Sequence, residues 1–208
     1  MKTKKIYLVR HGQTDYNLQG IVQGSGVDSD LNATGQRQAE LFFEMYQSVN
    51  FDKVYTSRLK RSIQSVQKFI DKGIPVEHYE GLNEMGYGTR EGQKTSDEDD
   101  NYYLELVRRW SEGEVTLPFE GGESPVMVQN RQKPVLDKIL SREDEKTILI
   151  CMHGRAMRIF LALMLNYPLT EMEKFEHTNL CLYELTYTGS MFTVDRFCDT
   201  THLKEMGA

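Results

Sequence analysis

No stretch of this sequence is apolar for long enough to cross a membrane. The basic start Met1-Lys2-Thr3-Lys4-Lys5 is followed by only four apolar residues, Ile6 to Val9, before Arg10. That is also too short for a signal-peptide core, so the expectation is a cytoplasmic protein with no membrane partner. Cysteine is scarce. Cys151, Cys181 and Cys198 are odd in number and lack metal-ligand spacing, which argues against a disulfide framework or zinc site and for a reducing compartment. Basic residues are in the minority, 25 Lys and Arg against 31 Asp and Glu, and the net charge of −6 speaks against a nucleic-acid surface. Internal repeats, low-complexity tracts and linkers are missing too. The 208 residues therefore read as a single domain, 1–208, able to bury a large core without staples.

Two strand ends are present instead. The apolar run Ile6–Val9 stops at Arg10-His11-Gly12, and the run Ile148–Met152 stops at His153-Gly154-Arg155. Both read as buried strands that deliver an imidazole to a tight turn. In open α/β sheets that end of a strand is where ligands bind. A histidine there can be a nucleophile and an adjacent arginine can hold an anion. Arg61, in the first turns of a helix after a short strand, adds a second guanidinium at the same sheet edge. A cationic pocket in an acidic chain points to a small anionic substrate, with phosphate the obvious candidate. His153, when protonated, can hydrogen-bond a phosphate oxygen, and Glu84 can serve as general acid from a loop after a strand. Two arginines and two histidines around one phosphate neutralise charge without a metal or cofactor.

Strands are predicted at 5–9, 54–55, 75–80, 147–152, 180–186 and 192–197. Helices are predicted from an Asn32 or Thr34 cap to about Ser48, from about Arg58 to Asp71 behind a Thr56-Ser57 cap, from Ser124 to Ser141, and over Ala156–Leu165. This alternation implies an α/β fold: a three-layer α/β/α sandwich with a mostly parallel central sheet. Residues 10–31 read as a polar loop. Residues of about 84–122, glycine-rich, with the acidic run Asp97-Glu98-Asp99-Asp100 and a helical patch at Tyr102–Trp110, read as a compact cap excursion over the site. The aromatics of this excursion are expected chiefly to pack the cap.

These motifs, taken together, resemble the histidine phosphatase superfamily, which includes the phosphoglycerate mutase-like enzymes. The resemblance rests on Leu8–Asn17, Tyr55–Ser62, Leu82-Asn83-Glu84, Gly121-Gly122-Glu123-Ser124, Met152-His153-Gly154 and Asp199–Leu203, all in order. It implies that His11 is the nucleophile and forms a phosphohistidine. It also implies that Arg10, Arg61 and His153 bind the transferred phosphoryl group and that Glu84 moves the proton. Asn17 and Gln23 match positions that line the pocket. Gly154 and Arg155 join them as substrate-binding candidates, Arg155 either as a third cation for a second anionic group or as a residue reaching a surface carboxylate. Arg58 is assigned to the rim. Cys151 is expected to be core, His78 and His202 to be surface or structural residues, and His177 is left open near a pocket wall.

Mutases of the superfamily carry an arginine pair just after a tryptophan. Here Trp110 is followed by Ser111-Glu112, and Arg108-Arg109 precedes it. The expected activity is therefore hydrolysis of a small phosphorylated metabolite, with a phosphoglycerate mutase as the alternative. A bifunctional sugar bisphosphatase is disfavoured by the lack of a kinase domain. A degenerate binding protein is opposed by the intact residue set. A metalloenzyme would have to use the histidines and the acidic run. A homodimer through an edge strand or cap helix leaves no pattern to read.

Overall fold

The computed structural model describes residues 3–206, without the side chains of 97–100, so the expectations placed on Met1, Lys2 and the acidic run at 97–100 fall outside the described residues. Six strands form one sheet: β1 (Lys4–Arg10), β2 (Lys53–Thr56), β3 (Val76–His78), β4 (Thr147–Met152), β5 (Leu182–Tyr187) and β6 (Phe192–Asp199), in the spatial order β3-β2-β4-β1-β5-β6. The first four run parallel, and β5 and β6 close one side as an antiparallel hairpin.

The apolar runs explain the layering. Central parallel strands are covered on both faces and so are apolar almost throughout. Alternate side chains point to opposite faces. Ile6, Leu8, Ile148 and Ile150 pack on one side. Above them lie α6 (Pro125–Ser141), through Val128, Val135 and Ile139, and α7 (Gly154–Leu165), through Ile159 and Phe160. Val9, Leu149 and Cys151 pack on the other side. There they meet α2 (Ala33–Tyr46), through Leu41 and Phe42, and Phe69 of a short helix at Gln67–Asp71. Asn32 caps α2 by accepting from Gly35 N–H at 2.9 Å, and Ser124 caps α6 through Met127 N–H, with Pro125 in the first turn where its missing donor costs nothing.

Several boundaries differ from the sequence expectation. The helix expected over 58–71 breaks at Val66 (φ −122°, ψ 12°) into Lys60–Ser65 and Gln67–Asp71, and no side chain caps its start. Ser57 Oγ accepts from Leu59 N–H at 3.1 Å, one residue ahead of the helix, and also contacts His153. The expected strand at 75–80 shortens to β3, and a 3₁₀ turn over Glu80–Leu82 aims Glu84 inward. The expected loop at 10–31 contains the short helix Asp15–Gln19, capped by Thr14. The helical patch of the excursion is longer, a helix over Asp97–Ser111. Leu106, Trp110 and Phe119 of the excursion are buried in the same apolar cluster as Ile6 and Leu8.

The register sets up the site. Arg10 lies opposite Met152 on β4, and Thr56 of β2 lies opposite Cys151. The residues following each strand, His11, His153 and Ser57, therefore emerge side by side at one sheet edge. Leu180 and Cys181, entering β5 from the opposite direction, bond the backbone of Arg10 and His11.

Candidate active site

His11 leaves β1 with its N–H donating to Met152 O at 2.9 Å. The next residue must be glycine: a Cβ on Gly12 would stand 2.8 Å from Gly35 O, at the start of α2. This backbone-on-backbone contact fixes the turn. His11 Nδ1 lies 2.7 Å from Gly12 O. A carbonyl can only accept, so Nδ1 carries the proton and Nε2 keeps its lone pair. Burial, reinforced by Arg61 and Arg10, holds the imidazole well below its ordinary value. The ring is thus a neutral base at physiological pH with its nucleophilic nitrogen unblocked.

The His153 ring lies 5.1 Å from that of His11, centroid to centroid, and is tethered differently. Its Nε2 is 2.7 Å from Ser57 Oγ, and its buried Nδ1 has no partner. Burial first, then Arg61, His11 and Arg10, hold it well below its ordinary value. The ring is neutral in the free site.

Arg61 is fully buried and donates through Nη1 to Val27 O (2.6 Å) and through Nη2 to Gly24 O (3.2 Å), which ties down the loop below α1, the helix at Asp15–Gln19. Its Nε has no partner, nor do Arg10 Nε and Gln23 Nε2. Burial pulls both guanidiniums below their ordinary value, yet arginine stays cationic. Gln23 is held by Thr14 Oγ1 and Ser29 Oγ, both donating to its Oε1. With His153 Nδ1, four buried polar atoms around His11 lack partners. Arg61 Nε, Arg10 Nε and Gln23 Nε2 can only donate, and buried donors rarely go unpartnered, so such a cluster marks a place suited to an anion.

Glu84 sits at the start of α7. Its Oε1 accepts from Met85 N–H (2.8 Å) and Ala156 N–H (2.9 Å), and its Oε2 from Arg155 N–H (3.2 Å). The carboxylate is oriented by the helix N-terminus and lines a cavity of about 290 Å³ with Arg10, His11, Tyr87, Tyr103 and Phe119. Asn17, Gln23, Gly154 and Arg155 also line it, as the sequence places them. Arg61 and His153 are fully buried behind this lining. Arg58 is exposed and paired with Glu80, a rim position, and Cys151 and His202 are buried in the core. Arg108 pairs with Glu105 and Glu112 and Arg109 with Glu114, all exposed and turned from the cavity. The excursion's aromatics divide: Trp110 packs, whereas Tyr87 and Tyr103 face the cavity.

Three contributors escape a sequence reading. Ser57, expected as a helix cap, tethers His153. Asn179 Nδ2 donates to His11 O at 3.1 Å and to Asn17 Oδ1 at 3.2 Å. His177, left open, accepts at Nδ1 from Arg10 Nη1 at 3.2 Å. No local pattern signals these contacts, since each spans more than 90 residues.

The family model described as histidine phosphatase superfamily (branch 1) matches residues 6–200. Phosphoserine phosphatase 1 of Hydrogenobacter thermophilus is 30% identical over 172 residues, covering 82% of this chain and 81% of that protein. The 2,3-bisphosphoglycerate-dependent phosphoglycerate mutase of Cytophaga hutchinsonii is 29% identical over 191 residues, covering 87% of each. The solved structure of a phosphoserine phosphatase from Entamoeba histolytica, in complex with 3-phosphoglyceric acid, superimposes with a TM-score of 0.81 at 27% identity over 96% of this chain and 99% of that one. An imidazole with a free nitrogen, ringed by unpartnered buried donors at the end of a parallel strand, thus sits in a chain that belongs to branch 1 of the histidine phosphatase superfamily.

Proposed function

We propose that the protein is a phosphomonoester hydrolase that acts on a small phosphorylated metabolite through a phosphohistidine on His11. The observation that carries this reading is that Arg10 Nε, Arg61 Nε, Gln23 Nε2 and His153 Nδ1 are all buried and unpartnered in residues that line the cavity with His11 or neighbour its ring, whose Nε2 is unprotonated. His11 Nε2 attacks phosphorus and the P–O bond to the leaving alcohol breaks. Glu84 gives its proton to that oxygen, then takes one from water, which attacks phosphorus and breaks the P–N bond. Inorganic phosphate leaves and His11 returns to its neutral form. The guanidiniums supply the charge neutralisation that phosphoryl transfer needs, so no metal or cofactor is invoked.

Residues 84–122 form the cap that sets specificity, an assignment supported by Tyr87 and Tyr103 in the lining. The relatives named for phosphoserine and for phosphoglycerate support a small phosphorylated substrate. Hydrolysis is favoured over the mutase reaction because Arg108 and Arg109 point to solvent. No described helix is long and apolar enough to cross a membrane, and the three cysteines are free thiols, which supports a cytoplasmic setting.

The test is phosphorus NMR in excess chelator with 3-phosphoglycerate, a trace of 2,3-bisphosphoglycerate and an aryl phosphate. Growth of inorganic phosphate without 2-phosphoglycerate is the expected result. Fast appearance of 2-phosphoglycerate would establish the mutase instead, and activity lost to the chelator would end the metal-independent mechanism.

A further inference from the structure

The phosphoryl end of the cavity accounts for Arg10, Arg61 and His153, but not for its other end. Arg155, in the first turn of α7, is only 3% exposed and still lines the cavity. Its guanidinium shares one carboxylate, Glu173, with Arg158, each arginine taking one oxygen, and also donates to the Tyr103 hydroxyl. Two guanidiniums against one carboxylate leave one positive charge uncompensated within this cluster, and the buried Nε of Arg158 has no partner. Glu84 meets Arg155 at its backbone, accepting from its N–H at 3.2 Å. The rings of Tyr103 and Trp110 hold the guanidinium at 5.4 and 5.7 Å, which fixes a planar fork in place. Buried charge of one sign is costly without a counterion.

His177 joins this end to the phosphoryl end. A guanidinium can only donate, so the contact from Arg10 makes His177 Nδ1 the acceptor and puts the ring proton on Nε2. Burial, with Arg10 and Arg155, lowers the imidazole to about 3, so it remains a neutral donor. The ring lies against Gly154, where a Cβ would stand 2.7 Å from it, and faces the same cavity as Arg155.

We propose that Arg155 and His177 form a second anion subsite that takes the carboxylate of the substrate. On the phosphatase reading above, on which this rests, the substrates are short phosphomonoesters that carry a carboxylate. The planar fork of Arg155 matches a carboxylate, and a cavity of about 290 Å³ admits a chain of a few carbons. Arg155 is then the specificity-determining residue, and Glu173 competes with the substrate for it.

The test compares kcat/KM for O-phosphoserine, for O-phosphoethanolamine (the same skeleton without the carboxylate) and for propanediol bisphosphate, with an aryl phosphate reporting hydrolysis itself. The wild type should prefer phosphoserine over phosphoethanolamine by about tenfold or more. Arg155→Gln should bring that ratio to within about threefold of unity, and Glu173→Gln should raise it. A purely structural Arg155 would lower both substrates together and leave the ratio unmoved, which would overturn the subsite. A wild-type ratio near one with aryl phosphate still hydrolysed would overturn it too, while sparing the phosphatase reading. A preference for the bisphosphate would overturn the carboxylate assignment. Should Arg155→Gln fail to fold, the wild-type ratio and the opposite shift in Glu173→Gln still decide the matter.

Discussion

His11 and His153 are near twins in sequence, each an imidazole between an apolar strand and a glycine, 5.1 Å apart at the same sheet edge. Their chemistry is set apart by one hydrogen bond each. Gly12 O takes the Nδ1 proton of His11 and so exposes Nε2. Ser57 takes Nε2 of His153 and leaves Nδ1 buried without a partner. A nucleophile needs its lone pair presented and its proton parked, whereas a phosphate-binding histidine needs only a donor well placed. The pair teaches that role follows from which ring nitrogen is occupied, and that the occupant can lie one residue or 96 residues away in the chain.

The comparison breaks most sharply at His11. His11→Ala should lower kcat by about 10⁴-fold or more, since it removes the attacking nitrogen. Steady-state hydrolysis of an aryl phosphate measures it, and a loss below about tenfold would mean that His153 can substitute. Glu84→Gln should cost about 10²- to 10⁴-fold, with a smaller loss for aryl phosphates than for alkyl phosphates because a phenolate needs less help from an acid. An equal loss on both substrates would make Glu84 an orienting group only.

His153→Ala should cost about 10²- to 10³-fold, the scale of one lost donor to a transition-state oxygen. Ser57→Ala, which frees the ring without removing it, should cost less than His153→Ala. If the two variants were equal, the tether and not the ring would be the functional element. The smallest expected effect is on the fold itself. His11 and His153 are both held below the ordinary histidine value by burial, so the unfolded chain takes up protons that the native state refuses. Their contribution to stability is therefore present above about pH 6.5 and is lost as pH falls toward their native values, at up to about 1.4 kcal/mol per pH unit for each. Urea midpoints should fall between pH 7 and pH 5, and saturating vanadate, as a bound anion, should offset the fall. A flat profile would contradict the burial of both rings.

Much of this was legible in the sequence for a physical reason. A central parallel strand must be apolar on both faces, so the abrupt arrival of Arg10-His11 and of His153 marks the strand ends and, with them, the ligand edge. Arg61 and Glu84 were legible because each follows a strand by a few residues and so cannot stray far from that edge. Ser57, Asn179 and His177 were not, because their functional contacts cross the sheet and depend on register. Arg155 was only half legible: its position after His153-Gly154 places it at the site, but whether it reaches a substrate or a carboxylate depends on Glu173, which lies in a separate turn. The helix at 58–71 was misjudged for the same reason. Ser57 Oγ accepts from Leu59 N–H as its sequence position suggests, but it also reaches His153 across the sheet, which no local pattern shows.

The central claim is that His11 Nε2 takes the phosphoryl group. Rapid acid and alkaline quenching during turnover of a ³²P-labelled aryl phosphate tests it most directly. The account predicts an acid-labile, alkali-stable label on the wild-type chain, located on His11 by mass spectrometry and absent from His11→Ala. A label on another residue, or equal labelling of His11→Ala, would contradict it.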